Sequence, residues 1–456
     1  MATKRLTRRE MLKLSGALAA GTLLSACAKP TPEVREVEVT KVVKETVVVE
    51  VTPKPTPTAA PPPTLAPPAK DKILIGAARP LSGPLKSIGD YAMGPVMTMW
   101  AEEVNAKGGI NVAGKKLPVE LKIYDDTSDL GTSTRLIEKL ILEDKVDFLF
   151  PNCSTAFLYA SAPLANKYKY VYLGAEGGCT TLTAMLPDLP YVFGVLNYSD
   201  YYQIPVLADI FAEKGVKNAA IIYINDLHGV EYYHTSLSEF LKKGINIVMA
   251  EAVPPYTEDV ELVLKKARDT EADALCAYVY PPTVMAAVGQ AMAIGYSPKA
   301  MVLGPGVNFQ FYYDIYGGQV VEGLIGFGAY NKKSSPALSA WIDKFIDRFG
   351  LSTMDWWGGA FYYGAVQCFE QAIEKAGTLD NTKVRDVLAT NHFQTILGDT
   401  WFDMTADGKG GGLLAKECHP GEVGQWQSGT YEVIGPADKM TTDKIIYPKP
   451  AWPAPA

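Results

Sequence analysis

The chain has 456 residues and a formal net charge of −7 at pH 7, with 48% hydrophobic and 10% aromatic residues. This acidic balance argues against a nucleic-acid partner, because proteins that neutralise phosphates usually carry excess positive charge. The length exceeds what a single hydrophobic core usually serves, so two lobes are expected.

The first 27 residues have the pattern of an export signal. Arg8 and Arg9 precede an apolar stretch at residues 14–26, which is shorter than the roughly 20 residues that span a bilayer. The arginine pair resembles the twin-arginine signal, and Leu24-Ser25-Ala26-Cys27 resembles the lipobox of bacterial lipoproteins. We therefore expect a signal peptide at 1–27 and lipidation of Cys27, with the protein anchored on the periplasmic or cell-surface side of the membrane. The alternatives are the general secretory route, a secretory signal whose cysteine is incidental, and a cytosolic basic arm.

Residues 28–70 form a predicted tether. Nine valines alternate with charged residues at 33–52, which suits a β-ribbon or an extended chain. Eight prolines occur within the sixteen residues 53–68. Such a segment favours polyproline II at about 3.1 Å per residue, hence a stiff spacer on the order of 50 Å long. A disordered tail without a spacing role is the alternative, and it would not change the location.

From residue 72 onward, short apolar runs alternate with amphipathic stretches, which predicts an α/β fold with parallel sheets. Predicted strands cover 73–78, 119–124, 146–150, 170–173, 219–224, 245–250, 272–278 and 301–303. The rhythm restarts after Asn197, which predicts a second doubly wound lobe. Long helices at 337–349 and 360–375 and a hairpin turning at Ser428-Gly429 break the rhythm. We expect these late elements to complete the earlier lobes, which would give a hinge with several crossings.

Several segments carry a family resemblance. Residues 72–84, 104–110 and 122–129 resemble the opening of the branched-chain amino-acid-binding proteins, and the similarity runs through 278–295 and 303–306 to about 408. These are type I periplasmic binding proteins, whose two lobes close on a solute and deliver it to an ABC permease. The resemblance implies lobe 1 at 71–195 plus 330–395, lobe 2 at 196–329 plus 396–445, and a C-terminal tail at 446–456. We also expect a monomer without a cofactor.

In lobe 1, the sequence around Ser154 leaves a strand and enters a helix, where a ligand carboxylate would meet a positive helix end. The family's serine at this position binds the amino-acid carboxylate; a plain N-cap is the alternative. At Gly178 the family has a threonine hydroxyl, which this chain lacks. Glu176 is expected at the cleft mouth, either receiving a cation or solvated. The predicted ligand-binding residues of this lobe are Ile88, Asn152, Cys153, Ser154, Thr155, Ala175, Glu176, Gly177 and Gly178.

In lobe 2, the candidate ligand-binding residues are Asp226, His228, Tyr280 and Gly306. His228 and Tyr280 follow strands and match aromatic positions of the family's pocket. Gly306 stands where the amino-acid binders have the acid that pairs with the ligand's ammonium. Either Glu176 or Asp226 takes over that role, or the solute has no amine, which would admit carboxylates and amides; the second option is slightly favoured.

Catalysis and metal binding have little support in the sequence. No G-x-S-x-G, H-E-x-x-H or P-loop motif occurs, and the four histidines lack metal-ligand spacing. The five cysteines other than Cys27 are expected mainly as single buried thiols, although Cys153 and Cys179 could lie close together. We therefore predict a binding protein without metal, not an enzyme. The remaining alternative is a ligand-sensing domain for a membrane receptor, which would use the same lobes.

Overall fold

The computed structural model describes residues 66–178, 180–196 and 201–453. The predicted signal peptide, the lipidated Cys27 and most of the predicted tether lie outside these residues, as does Cys179. Within the described part, no helix combines the length and the apolar character that crossing a membrane requires.

The first sheet has seven strands in the order β15-β16-β7-β6-β5-β1-β4. Strands β1, β4, β5, β6, β7 and β16 run parallel, and β15 pairs antiparallel with β16 at one edge. The strands are β1 (Ile73–Arg79), β4 (Val119–Asp125), β5 (Phe148–Leu149), β6 (Tyr172–Gly174), β7 (Val192–Gly194), β15 (Phe402–Met404) and β16 (Gly412–Leu414).

The second sheet also has seven strands, in the order β18-β17-β12-β11-β10-β8-β9. Its core is parallel, and the β17–β18 hairpin adds antiparallel strands beside β12. The strands are β8 (Asn218–Ile224), β9 (Asn246–Val253), β10 (Ala274–Tyr278), β11 (Ala300–Gly304), β12 (Ile325–Phe327), β17 (Val423–Gln427) and β18 (Thr430–Gly435). Two small antiparallel pairs complete the strands: β2 (Ile110–Val112) with β3 (Lys115–Leu117), and β13 (Phe393–Thr395) with β14 (Gly398–Thr400).

Fourteen helices lie between these strands in the described residues. They are α1 (Lys86–Tyr91), α2 (Met93–Ala106), α3 (Leu130–Leu142), α4 (Thr155–Lys167), α5 (Thr180–Met185), α6 (Gln203–Glu213), α7 (Leu227–Lys242), α8 (Glu261–Asp269), α9 (Pro281–Ala293), α10 (Gln310–Tyr316), α11 (Gly318–Val321), α12 (Pro336–Phe349), α13 (Gly359–Ala376) and α14 (Asn381–Thr390). The predicted α/β fold with two doubly wound lobes is confirmed.

Each lobe has its own aromatic core. In lobe 1, Phe369 of α13 packs against Phe148 and Phe150 at ring-centroid distances of 4.9 and 5.9 Å. In lobe 2, Tyr232 of α7 packs against Tyr278 and Phe327, each at 4.9 Å. These side chains are buried, so each lobe has an apolar centre of the kind that stabilises a compact unit.

The sheets correct one predicted boundary. Residues 396–445 were assigned wholly to lobe 2, but β15 and β16 belong to the first sheet, where Leu413 of β16 pairs in parallel with Gly194 of β7. Only β17 and β18 join the second sheet. The chain therefore crosses between lobes three times: after β7, after β12 and between β16 and β17. The C-terminal segment also packs on lobe 2, where Trp452 Nε1 donates to the Tyr296 carbonyl at 2.6 Å.

Candidate functional site

A small cavity lies between the lobes, at the topological switch point of each sheet, where the strand order reverses. In lobe 1 it lies beyond the carboxyl ends of β1 and β5, and in lobe 2 beyond those of β8 and β10. Its volume is about 20 Å³, which holds about one water molecule. A larger solute therefore needs the lobes or the lining side chains to move. The lining residues are Ile88, Ala92, Ser154, Thr155, Glu176, His228, Tyr280, Pro305, Asn308, Phe309, Asp355, Trp357 and Tyr362.

Six of the predicted ligand-binding residues line this cavity: Ile88, Ser154, Thr155, Glu176, His228 and Tyr280. The other seven do not line it: Asn152, Cys153, Ala175, Gly177, Gly178, Asp226 and Gly306. Asn152 instead has a structural role. Its amide donates to the Phe157 carbonyl at 2.9 Å and to Ser161 Oγ at 2.6 Å, while its Oδ1 accepts from the Tyr172 hydroxyl at 2.8 Å. The four cysteines in the described residues are buried and unpaired.

Ser154 precedes helix α4 without capping it. Ser154 occupies the N-cap position, but its φ is +78° and its side chain makes no cap hydrogen bond, so the alternative of a hydroxyl that serves only as an N-cap has no support. Thr155, by contrast, has a structural bond, because its Oγ1 accepts from the Gly178 N–H at 2.9 Å. Ser154 therefore lines the cavity at the positive end of a 13-residue helix, near the Tyr280 hydroxyl, and an anionic group is favoured at such a helix end.

Glu176 lies inside the protein, not at the cleft mouth as predicted. Its carboxylate forms an ion pair with Arg79, whose Nη2 donates to Oε1 at 3.0 Å, and the Met93 N–H donates to the same oxygen at 3.0 Å. Both side chains are about 1% exposed. Burial alone would lower the pKa of Arg79, but the charge and hydrogen bond of Glu176 raise it. Glu176 is thus shielded from solvent, and its charge is balanced by Arg79.

Arg79 was missed in the sequence. It also donates to the carbonyls of Pro151 and Asn152 at 3.3 and 3.1 Å, which fixes the loop that leads to Ser154. The available signal was its position, since a charged residue that ends a buried apolar strand requires a partner.

His228 and Tyr280 form an aromatic wall in lobe 2. Their rings stack at 5.1 Å with an interplanar angle of 18°, and Tyr256 also stacks on Tyr280, at 5.6 Å. Burial lowers the pKa of His228 to about 3, so the imidazole is neutral at physiological pH. The Tyr280 hydroxyl is buried without a hydrogen bond of ordinary geometry, although Asp226 and Ser154 are near enough to influence its pKa, which burial raises.

Asp226 caps helix α7. Its carboxylate accepts from the Gly229 N–H at 3.1 Å, and burial raises its pKa. It does not line the cavity. The prediction that Asp226 or Glu176 replaces the acid missing at Gly306 therefore has little structural support, because one caps a helix and the other is paired with Arg79.

A different acid, Asp355, lines the cavity. It precedes α13 and accepts three hydrogen bonds: from Asn308 Nδ2 at 2.7 Å, from the Trp357 N–H at 2.9 Å and from the Gly358 N–H at 3.0 Å. Burial raises the pKa of Asp355 to about 7. The sequence signal was an aspartate four residues before a glycine-initiated apolar helix, because aspartate side chains readily accept hydrogen bonds from the backbone N–H groups two and three residues further on.

The absence of a threonine at Gly178 has a steric explanation. A Cβ at this position would lie 2.2 Å from Glu231 Oε2, because Glu231 of lobe 2 reaches across to lobe 1. Its carboxylate accepts from the Tyr159 hydroxyl at 2.9 Å and from the Thr181 N–H at 3.0 Å. A side chain from the opposite lobe therefore lies where the Cβ of a residue larger than glycine would be.

The described residues contain no group of three or more His, Cys, Asp or Glu side chains that could hold a metal ion. The polar side chains of the cavity lining are instead two hydroxyl residues, two acids, an imidazole, an amide, an indole and two tyrosines: Ser154, Thr155, Glu176, Asp355, His228, Asn308, Trp357, Tyr280 and Tyr362. Such a mixture orients a small polar solute.

Comparisons with known proteins agree with this geometry. Residues 72–429 match the family described as periplasmic binding protein. The chain is 26% identical to a leucine-, isoleucine-, valine-, threonine- and alanine-binding protein of Pseudomonas aeruginosa, over 77% of this chain and 91% of that protein. It is 25% identical to a Leu/Ile/Val-binding protein homolog of Brucella abortus, over 84% and 95%.

Solved structures support the fold. A branched-chain amino acid transporter substrate-binding protein of Streptococcus pneumoniae, in complex with isoleucine, has a TM-score of 0.68 at 19% identity, over 80% of this chain and 100% of that chain. A solute-binding protein of R. palustris, in complex with benzoate, has a TM-score of 0.68 at 16% identity, over 82% and 99%. At these identities the structural likeness bears on the fold alone.

Proposed function

Because the chain belongs to the periplasmic binding protein family, we propose that it is the solute-binding protein of an ABC importer. It captures a small amino-acid-like, amide or carboxylate solute between its lobes and delivers it to a membrane permease. The family places the protein outside the cytoplasm, and Cys27 provides the proposed lipid anchor. The protein binds its solute as a monomer and catalyses no reaction on it.

The observation that carries this proposal is that both lobes contribute polar groups to one cavity. Lobe 1 contributes Ser154 at the start of α4, whose side chain makes no cap hydrogen bond, and lobe 2 contributes the Tyr280 hydroxyl. We assign a solute carboxylate or carbonyl to Ser154, because a helix N-terminus favours negative charge. The aromatic wall of His228 and Tyr280 would cover an apolar part of the solute.

Closure of the lobes is the second part of the proposal. The cavity is too small for an amino acid, so binding requires an opening motion, which the three chain crossings permit as a hinge. Hydrogen bonds between the lobes, such as Tyr159 to Glu231, would stabilise the closed state. A solute that bridges the lobes would favour the same state.

A thermal-shift screen tests the function. The purified protein is heated with branched-chain amino acids, small amides, and amine-free aliphatic and aromatic carboxylates, since a ligand of the folded state raises the melting temperature. We expect at least one class to stabilise the protein, with small-angle scattering showing a more compact particle. No stabilisation by any class would count against solute binding. Permease and ATPase genes beside this gene would favour import, whereas a kinase or receptor gene would favour sensing.

A further inference from the structure

Charge is unbalanced among the groups that line the cavity. Glu176 is neutralised by Arg79, and the His228 imidazole is neutral. Asp355 contacts only uncharged donors among the described residues: the Asn308 amide and two backbone N–H groups. The buried acid Asp126 interacts with Arg79 and does not line the cavity, and neither does the buried Glu231. A positive group is therefore missing from the cavity-lining side chains, and a buried carboxylate without a counter-charge is costly.

A second observation points to the same kind of ligand. Tyr280 is 2% exposed and lines the cavity; its hydroxyl makes no hydrogen bond of ordinary geometry, although Ser154 and Asp226 lie near enough to interact with it. A phenol oxygen can accept a hydrogen bond as well as donate one. Aromatic rings of Phe309, Trp357 and Tyr362 also line the cavity, and the faces of such rings attract cations.

We propose that the solute carries a protonated amine and that Asp355 binds it, with the Tyr280 hydroxyl as a further acceptor and the aromatic rings around it. This inference rests on the proposed solute-binding function and names the class of solute. It replaces the amine-free solute that the glycine at position 306 had favoured. The acid missing at Gly306 is supplied by another segment of the chain.

Asp355 is held in place before any solute arrives. Its segment pairs with the loop after β11: the Trp356 N–H donates to the Asn308 carbonyl at 3.1 Å, and the Gln310 N–H donates to the Met354 carbonyl at 2.9 Å. A β-bridge between Phe309 and Asp355 completes the pairing. Such a preorganised acid binds an ammonium without losing side-chain freedom on binding.

The main alternative is that Asp355 is protonated and donates to an amine-free carboxylate. The hydrogen-bond pattern opposes protonation, because all three neighbours direct N–H groups at the two carboxyl oxygens; burial acts the other way and raises the pKa to about 7, so the carboxyl is ionised above that pH. Donors of this kind stabilise a carboxylate more than a neutral acid.

Isothermal titration with matched pairs tests the inference. Leucine is compared with 4-methylpentanoate, phenylalanine with 3-phenylpropanoate, and benzoate serves as an aromatic acid without an amine. We expect an amine-bearing compound to bind and its amine-free partner to bind at least tenfold more weakly, about 1.4 kcal/mol. Asp355→Asn should remove this preference, whereas Asp347→Asn, which changes an exposed acid on α12, should keep it.

The outcomes separate the two proposals. Equal or tighter binding of an amine-free partner would overturn the amine subsite and leave solute binding intact. Unchanged binding of the amine compound by folded Asp355→Asn would also overturn the subsite. If neither member of any pair binds, the proposed function fails and the subsite with it. The comparison of pairs on the unsubstituted protein stays decisive even if Asp355→Asn does not fold.

Discussion

Tyr159 of lobe 1 donates a hydrogen bond of 2.9 Å to Glu231 of lobe 2. Glu231 also accepts from the Thr181 N–H of lobe 1 at 3.0 Å and is only 7% exposed. One side chain of the second lobe is thus bound to two groups of the first, beside the cavity. We infer that Glu231 stabilises the closed arrangement of the lobes.

Replacing Glu231 with alanine should shift the protein toward open forms. Hydrogen bonds to charged groups contribute about 1.5–3 kcal/mol each, so we expect solute affinity to fall roughly ten- to a hundredfold, at about 1.4 kcal/mol per tenfold. Titration measures the affinity, and small-angle scattering measures the radius of gyration, which should increase. Glu239→Ala is the matched control, because Glu239 lies on the same helix and pairs with Lys242 of lobe 2. Equal affinities of the two variants would argue against a closing role for Glu231.

The Arg79–Glu176 pair should behave as a buried ion pair in a double-mutant cycle. Arg79→Met leaves Glu176 buried without a counter-charge, which should lower the free energy of unfolding by about 3–5 kcal/mol. Adding Glu176→Gln removes the uncompensated charge and should recover part of that loss. Urea denaturation of the two single variants and the double variant measures the coupling. Strictly additive effects would show that the two side chains do not stabilise one another.

Most of the fold was predictable, because apolar runs separated by helix-length segments form β/α units by local pattern. The hairpin at Ser428-Gly429 was predicted and lies between β17 and β18. The sheet membership of β15 and β16 was not predictable, since each has three residues and belongs to a sheet through pairing with distant strands. Short strands have too little local pattern to identify their partner.

The site was predicted less completely, for a related reason. Ser154 and Tyr280 follow strands, and in parallel sheets the segments after strands meet at one edge. The residues that pair with the buried acids are instead far away in sequence: 97 residues separate Arg79 from Glu176, and 72 separate Tyr159 from Glu231. No local motif links such pairs, so the state of Glu176 and the contribution of Glu231 required the structure.

Ser154→Ala should weaken solute binding without weakening the fold. Its hydroxyl makes no cap hydrogen bond, so the free energy of unfolding should fall by no more than about 1 kcal/mol. If the hydroxyl binds the solute, its loss should reduce affinity about tenfold, more so together with Tyr280→Phe. Thr155→Val is the contrasting variant, because Thr155 bonds the Gly178 N–H and should lose stability. Unchanged affinity in the Ser154 and Tyr280 double variant would refute both assignments.

Cys27→Ser should release the protein from the membrane. A thioether-linked lipid requires the cysteine sulfur, so the variant should move from the detergent phase to the aqueous phase on phase partitioning. A conservative change elsewhere, such as Cys368→Ser, would disturb a buried core position; Ser25→Ala, which keeps Cys27, is therefore the better control. Retention of Cys27→Ser in the membrane would point to another anchor.

Asp355 should give the stability of the protein a specific dependence on pH. Burial raises the pKa of Asp355 to about 7, whereas an unfolded aspartate titrates near 3.9. Between these values the folded protein binds more protons than the unfolded chain, so this carboxyl lowers the free energy of unfolding as pH rises from about 4 to about 7. His228, with its pKa lowered to about 3, acts in the opposite direction, and it does so equally with and without Asp355.

The difference in the free energy of unfolding between Asp355→Asn and the unsubstituted protein isolates the aspartate. The variant should gain stability relative to the unsubstituted protein as pH rises from about 4 to about 7, by an amount on the order of a few kcal/mol. Urea denaturation at pH 4.5, 5.5, 6.5 and 7.5 measures this difference. A constant difference across the series would mean that Asp355 titrates in the folded protein as it does in the unfolded chain.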